Sequence, residues 1–91
     1  MTQIARPGAC EVCTAYWVTG VGRFVTLGES PARMAEIWRC RVCGAYWQVG
    51  DFDRPKVIRV DDARSALPDL DVIEATLGVD FPQAPPLPPA P

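Results

Sequence analysis

Cys10-Glu-Val-Cys13-Thr-Ala-Tyr-Trp17 and Cys40-Arg-Val-Cys43-Gly-Ala-Tyr-Trp47 are one octapeptide written twice, thirty residues apart, with six of eight positions identical. Solenoids need about three copies before stacking buries a continuous core, so two copies indicate a pair of equivalent turns instead. A Cys-x-x-Cys turn lets two thiolates reach one ion at about 2.3 Å while backbone amides of the turn point at the sulfurs. Two such turns close a tetrahedron. Cys10, Cys13, Cys40 and Cys43 are therefore the candidate metal ligands, and four soft donors with no open position describe a structural site for one Zn2+, with iron as the second possibility. The chain has no histidine, which excludes a Cys2His2 finger and any histidine-based catalysis. Two disulfides are the competing use of these cysteines, but Cys-x-x-Cys bridges are strained and redox-active and call for a thioredoxin-like scaffold.

Each cysteine pair is expected to feed a strand. After the first, Ala15, Trp17 and Thr19 alternate with Tyr16 and Val18; after the second, Ala45, Trp47 and Val49 alternate with Tyr46 and Gln48. Gln48 marks the tyrosine side as partly solvated, so the tryptophan side is expected to face the core. Gly20-Val-Gly22 signals a turn and Arg23 to Leu27 a returning strand, together a hairpin over about residues 14 to 27. Ser30-Pro31 resembles a helix N-cap followed by proline at the first helical position, predicting a turn of helix to Glu36. Ile37 to Arg39 and Lys56 to Val60 read as strands. Asp61 and Asp62 signal a helix start, Pro68 a break, and residues 69 to 77 a helix ended by Gly78. Leu70, Ile73 and Leu77 share its apolar face, which Leu67 enters from the preceding turn.

Ninety-one residues hold one small core, and six of the ten prolines crowd between Pro82 and Pro91. At this size a staple is commonly needed, which agrees with the metal reading. The fold class expected is a small β-rich zinc ribbon, built of metal-stapled antiparallel β-hairpins, with a short C-terminal α-helix. Its parts are the ribbon with an added strand over 1–60, an acidic helical extension over 61–81 and a disordered proline-rich tail over 82–91.

The paired knuckles resemble a zinc ribbon of the rubredoxin-like kind over residues 10–49. Trp38-Arg-Cys40-Arg-Val-Cys43-Gly44 is similar to the tryptophan-led second knuckle of rubredoxins, and Tyr16 falls near their aromatic position after the first. Such knuckles usually carry proline after the first cysteine of the second pair and glycine after both pairs; here Arg41 and Thr14 stand at two of those places. The acidic run of the electron carriers is also absent between the knuckles. The resemblance implies the four ligands and the ribbon topology, and does not extend to iron or electron transfer.

Function has to be read from what surrounds the metal. The net charge is -2, with eight Lys/Arg against five Asp/Glu over residues 1–60 and one against six beyond, which argues against general attraction to polyphosphates or anionic membranes. No stretch has the length of a membrane span or the pattern of a secretory signal, so a cytoplasmic location is expected. No catalytic constellation converges, and the protein is not expected to be an enzyme. Tyr16 and Tyr46, opposite the tryptophans, are candidates for an amphipathic protein-binding patch, joined by Asp69, Asp71 and Glu74 of the acidic segment. The leading expectation is thus a protein-protein interaction module, with an inhibitor or immunity-type protein as one role in that class. A nucleic-acid-binding, transcription-associated ribbon, with bases stacking near Arg39 and Arg41, is the second reading. A rubredoxin-like iron carrier is the third.

Overall fold

The computed structural model describes residues 9–19, 23–50, 54–85 and 87, with the backbone alone at 11 and 17–19. The elements run α1 (Glu11–Thr19), β1 (Phe24–Ser30), β2 (Ala35–Cys40), β3 (Tyr46–Gly50), β4 (Lys56–Ile58), α2 (Val60–Ala66) and α3 (Leu70–Leu77). The strands form one antiparallel sheet in the order β1-β2-β3-β4. A β-rich fold with short helices and a cysteine cluster compatible with metal stapling is what the sequence led us to expect.

The first knuckle departs from expectation, because Cys13 leads into a helix and not a strand. Both knuckles close with the same bond, from the amide four residues on to the first cysteine's carbonyl: Thr14 to Cys10 and Gly44 to Cys40, each at 3.0 Å. Beyond that bond the two paths diverge. Gly44 has φ 79°, a left-handed conformation open to glycine at little cost, and it ends the turn so that the chain exits into β3. Thr14 lacks that freedom, the helical turn propagates, and α1 runs on to Thr19. The expected hairpin of residues 14 to 27 is therefore replaced by helix and strand. The Gly20–Gly22 turn and the Trp17 side chain lie outside the described residues.

A second correction concerns Ser30-Pro31. The same residue pair that starts a helix also starts a type I turn, with serine at the first position and proline at the second. Arg33 N–H donates to the Ser30 carbonyl at 3.1 Å, and Met34, at φ 51°, turns the chain directly into β2. Pairing Ser30 with Ala35 then gains a ladder that an isolated helical turn would not.

The pleat gives the sheet two faces, and both are covered. On one, Phe24, Trp38, Trp47 and Val57 pack with Cys13, Cys40 and Ala45 beneath α1. On the other, Leu27, Ile37, Tyr46 and Ile58 pack with Ala63, Leu67 and Leu70 of the helical segment, and Phe81 and Ala84 close over them. The tyrosine side is thus core as well, with Tyr46 3 % exposed and Trp47 fully buried. Gln48 is also buried, its amide oxygen accepting a hydrogen bond from Arg33 at 3.1 Å.

The helical segment obeys its signals. Asp61 and Asp62 occupy the first turn of α2, and the Asp62 carboxylate accepts the Arg59 N–H at 3.4 Å. Leu67, ahead of Pro68, is extended, since the proline ring disfavours helical geometry there. Gly78 at φ 64° caps α3. Residues 61–81, expected as an appendage, supply a layer of the core through Ala63, Leu67 and Leu70, and of the expected apolar stripe only Leu77 is exposed.

Gly44 carries two constraints at once. Besides its positive φ, a Cβ there would run into the Pro82 carbonyl. We expect Gly44→Ala to cost about 2 kcal/mol or more of unfolding free energy by chemical denaturation. A loss within about 0.5 kcal/mol, the usual range of neutral surface changes, would show that neither constraint holds.

Candidate metal centre

Four sulfurs converge from two elements. Cys10 enters α1, Cys13 lies on its first turn, Cys40 ends β2 and Cys43 sits in the following turn. An i,i+3 separation on a helical turn brings both thiols of a pair to one side, and the antiparallel match of Phe24 with Cys40 carries α1 to the second knuckle. All four sulfurs lie within 4.8 Å of one another. Cys10 and Cys13 are 3.6 Å apart, Cys10 and Cys40 3.8 Å, and Cys13 and Cys43 3.8 Å. The cysteines are free thiols, so the disulfide alternative is not the one adopted.

These separations fit a metal. A tetrahedron with metal–sulfur bonds of about 2.3 Å has edges of about 3.8 Å, close to the spacings present. The cluster is consistent with a zinc-ribbon-like site in which Cys10, Cys13, Cys40 and Cys43 would hold one ion. Such an ion supplies cross-linking between the knuckles and, with four protein ligands, has no open position for substrate chemistry.

Protonation is set by crowding. The Cys40 thiol is held below its usual range, first by the hydrogen bond from Cys13 and then by the amides of Cys43 and Val42, against burial that raises it. The Val42 N–H lies 3.4 Å from its sulfur. Cys13 is pushed up, chiefly as the donor in that bond, and burial pushes Cys43 up as well. Cys40 is thus disposed toward the thiolate form that a metal ligand needs, and because ligating cysteines are thiolates, binding of a dication would release protons.

Beside the second knuckle stands a residue whose role the sequence reading missed. Arg39, named there as a possible nucleic-acid contact, is 8 % exposed. Its guanidinium lies 4.5 Å from the ring centroids of both Tyr46 and Phe81. Its Nε donates to the Gly44 carbonyl at 3.0 Å, one terminal nitrogen donates to the Glu74 carboxylate, and the other to the Pro82 carbonyl at 3.0 Å. Burying a guanidinium is costly unless charge and donors are matched, and here both are. The only hint in the sequence is the alternation that places Arg39 in line with Ile37 and Ala35 on an inward face.

Of the candidate partner-binding residues, the structure brings two inside. Tyr46 donates its hydroxyl to Glu74 at 2.8 Å, and Glu74 also binds Arg39, so neither belongs to a surface patch. The reason is the layer of α2 and α3, which covers the tyrosine face. Tyr16 is half-buried, its ring edge-on to Phe24 at 5.1 Å and to Trp38 at 5.9 Å. Asp69 and Asp71 are exposed, and Asp71 pairs with Arg64 at 3.3 Å. The tail expected to be disordered from residue 82 begins instead with contacts: the Pro82 carbonyl is bound by Arg39 and Ala84 packs on the core.

No protein-family model matches the chain, and searches of curated proteins and of solved structures gave no match. Among the described residues, no helix is long and apolar enough to cross a membrane.

Two outcomes are expected from this geometry. The protein should bind one equivalent of zinc with release of protons and with affinity that falls as pH falls, and chelation or Cys43→Ser should abolish its cooperative unfolding transition. An apo protein that keeps its near-UV aromatic signal and thermal transition would show that the metal is not the staple. The second concerns Tyr46, whose phenol is pushed up from 10.0 to about 12 by burial and by its bond to Glu74. The unfolded phenol ionises first, so stability is complete below pH 10 and declines as pH rises toward 12. Tyr46→Phe should flatten that decline in alkaline denaturation curves; curves parallel to wild type would contradict the assignment.

Proposed function

We propose that this protein is a non-catalytic cytoplasmic module in which one structural zinc ion fixes a scaffold, and that α3 presents a binding face to another protein. The rubredoxin-like zinc ribbon is the family resemblance that goes with this reading, with a first knuckle on a helix as its departure. The observation that carries the reading is Val72, 66 % exposed on a helix whose opposite side is anchored by fully buried Leu70 and by the Glu74–Arg39 pair. Asp69, one helical turn before Val72, and Asp71 beside it are also exposed. An apolar side chain framed by carboxylates on a rigid helix suits a basic partner surface with a shallow apolar depression. Inhibition of such a partner, as by an immunity-type protein, is the finer role we assign.

Burial of Trp47 and Arg39 and partial burial of Trp38 favour this reading over a base-stacking platform, which needs those side chains at the surface. A closed, fully sulfur-ligated tetrahedron suits zinc or iron, and zinc is preferred because Thr14 and Arg41 depart from the rubredoxin knuckle pattern and no acidic run lies between the knuckles.

Affinity capture from the native cell should compare the wild-type chain with Asp69→Lys/Val72→Glu, both zinc-loaded and nuclease-treated. We expect one protein retained by the wild type and lost by the variant. Equal retention by both, or retention that disappears with nuclease, would sink the α3 assignment.

A further inference from the structure

The Arg39 guanidinium holds something that belongs neither to the sheet nor to the helices: the segment that follows α3. Phe81 and Ala84 of that segment pack on the buried cluster that contains Tyr46 and Ile58, and Leu87 lines the hollow beside Val57 and Ile58. Pro82 and Gln83, between the first two, are exposed. Inward residues at 81, 84 and 87 follow the repeat of polyproline II, which has about three residues per turn. Among the described residues no backbone-to-backbone hydrogen bond joins residues 81–87 to any element, as suits a conformation whose backbone is left to outside donors.

Grooves that take such segments are lined by aromatic rings. Here the Tyr46 ring and the Phe81 ring each lie 4.5 Å from the Arg39 guanidinium, and a terminal nitrogen of Arg39 donates to the Pro82 carbonyl at 3.0 Å. Gly44 completes the fit, since a Cβ there would run into the same carbonyl. A knuckle glycine, a buried cation and a buried aromatic ring thus converge on one short stretch of chain.

Release of the segment would leave no buried polar group stranded at this point. Arg39 keeps its Gly44 and Glu74 partners, and the nitrogen that gives up Pro82 returns to water. The seat is also incompletely filled: a partly open hollow of about 210 Å³ is lined by Ala84, Pro85 and Leu87 of the segment and by Tyr46, Ile58 and Val60. Gly78, at φ 64°, ends α3 with nothing among the described residues within 4 Å of where its Cβ would stand, which leaves room for a pivot.

We infer that the tyrosine face of the sheet is a seat for an extended proline-rich peptide, and that residues 81–87 are its ligand in cis, released as a unit while the sheet stays folded. The seat does not use Asp69 or Val72, so it stands apart from the face proposed for α3.

The test uses the zinc-loaded full chain and NMR. In a urea series on the wild type, the Ala84 and Leu87 methyl signals should reach free-peptide positions at lower urea than those of Ile37 and Ala63 change. An end-capped synthetic peptide of residues 80–87 should then bind the Ala84→Asp chain, whose own segment is unseated, with saturable shifts confined to residues 39, 44, 46, 57 and 58. The wild type, whose tethered segment competes at an effective concentration in the millimolar range, should need about tenfold more peptide or beyond. A peptide carrying the same Ala84→Asp change should give no saturable shift. Coincident urea transitions, or collapse of the Ala84→Asp fold, would show that the segment is part of the core and overturn the proposal. So would an unseated chain that ignores the peptide, or equal response to both peptides.

Discussion

Convergence of four sulfurs within 4.8 Å is the constraint on which the remaining geometry depends. Two turns thirty residues apart can meet only if the chain between them doubles back, and β1 paired with β2 is that return path. Phe24 opposite Cys40 sets the register, which fixes α1 over one face of the sheet. The aromatic cluster of Tyr16, Phe24 and Trp38 fills the space between helix and sheet, with rings edge-on or tilted at centroid distances of 5.1 to 5.9 Å. Packing of this kind adds about 0.5 to 1.5 kcal/mol per pair beyond area burial. A metal held by the cysteines would act on the same face as the aromatics and stabilise the same arrangement.

Arg39 does for the other face what the cysteine cluster does for the first. It joins the second knuckle, α3 and the C-terminal segment through one buried cation, with aromatic rings on both sides. Its bond to the Gly44 carbonyl links it to the residue directly after Cys43, so the knuckle geometry and the position of the helical layer are coupled. Glu74 supplies the countercharge and Tyr46 supplies that carboxylate with a second donor. A network satisfied at every polar atom is rigid, and removal of one member leaves the others buried without partners.

Much of the local structure was legible. The strands at Ile37–Arg39 and after Ala45, the helix ended by Gly78 and the break at Pro68 rest on short-range chemistry: alternation, left-handed glycine and the missing proline amide. Two local readings failed because one signal serves two structures. Ser30-Pro31 starts a helix or a type I turn, and pairing with Ala35 chose the turn. Alternating Tyr16, Trp17 and Val18 suit a strand, but Thr14, unlike Gly44, gives the chain no easy exit from the helical turn begun by the cysteines.

Residue order alone was enough for the cysteine tetrad, because ligand type and spacing are properties of the chain. Gly44 against Thr14 was also written there as the one knuckle difference with conformational weight. Which faces are buried was settled by packing between distant segments. With only one side of the sheet covered, Tyr46, Glu74 and Arg39 are surface groups. Once α2 and α3 lie across the second side, the same residues become an internal ion pair and hydrogen bond. Burial depends on what a residue meets from elsewhere in the chain, and alternation along one strand carries no record of that.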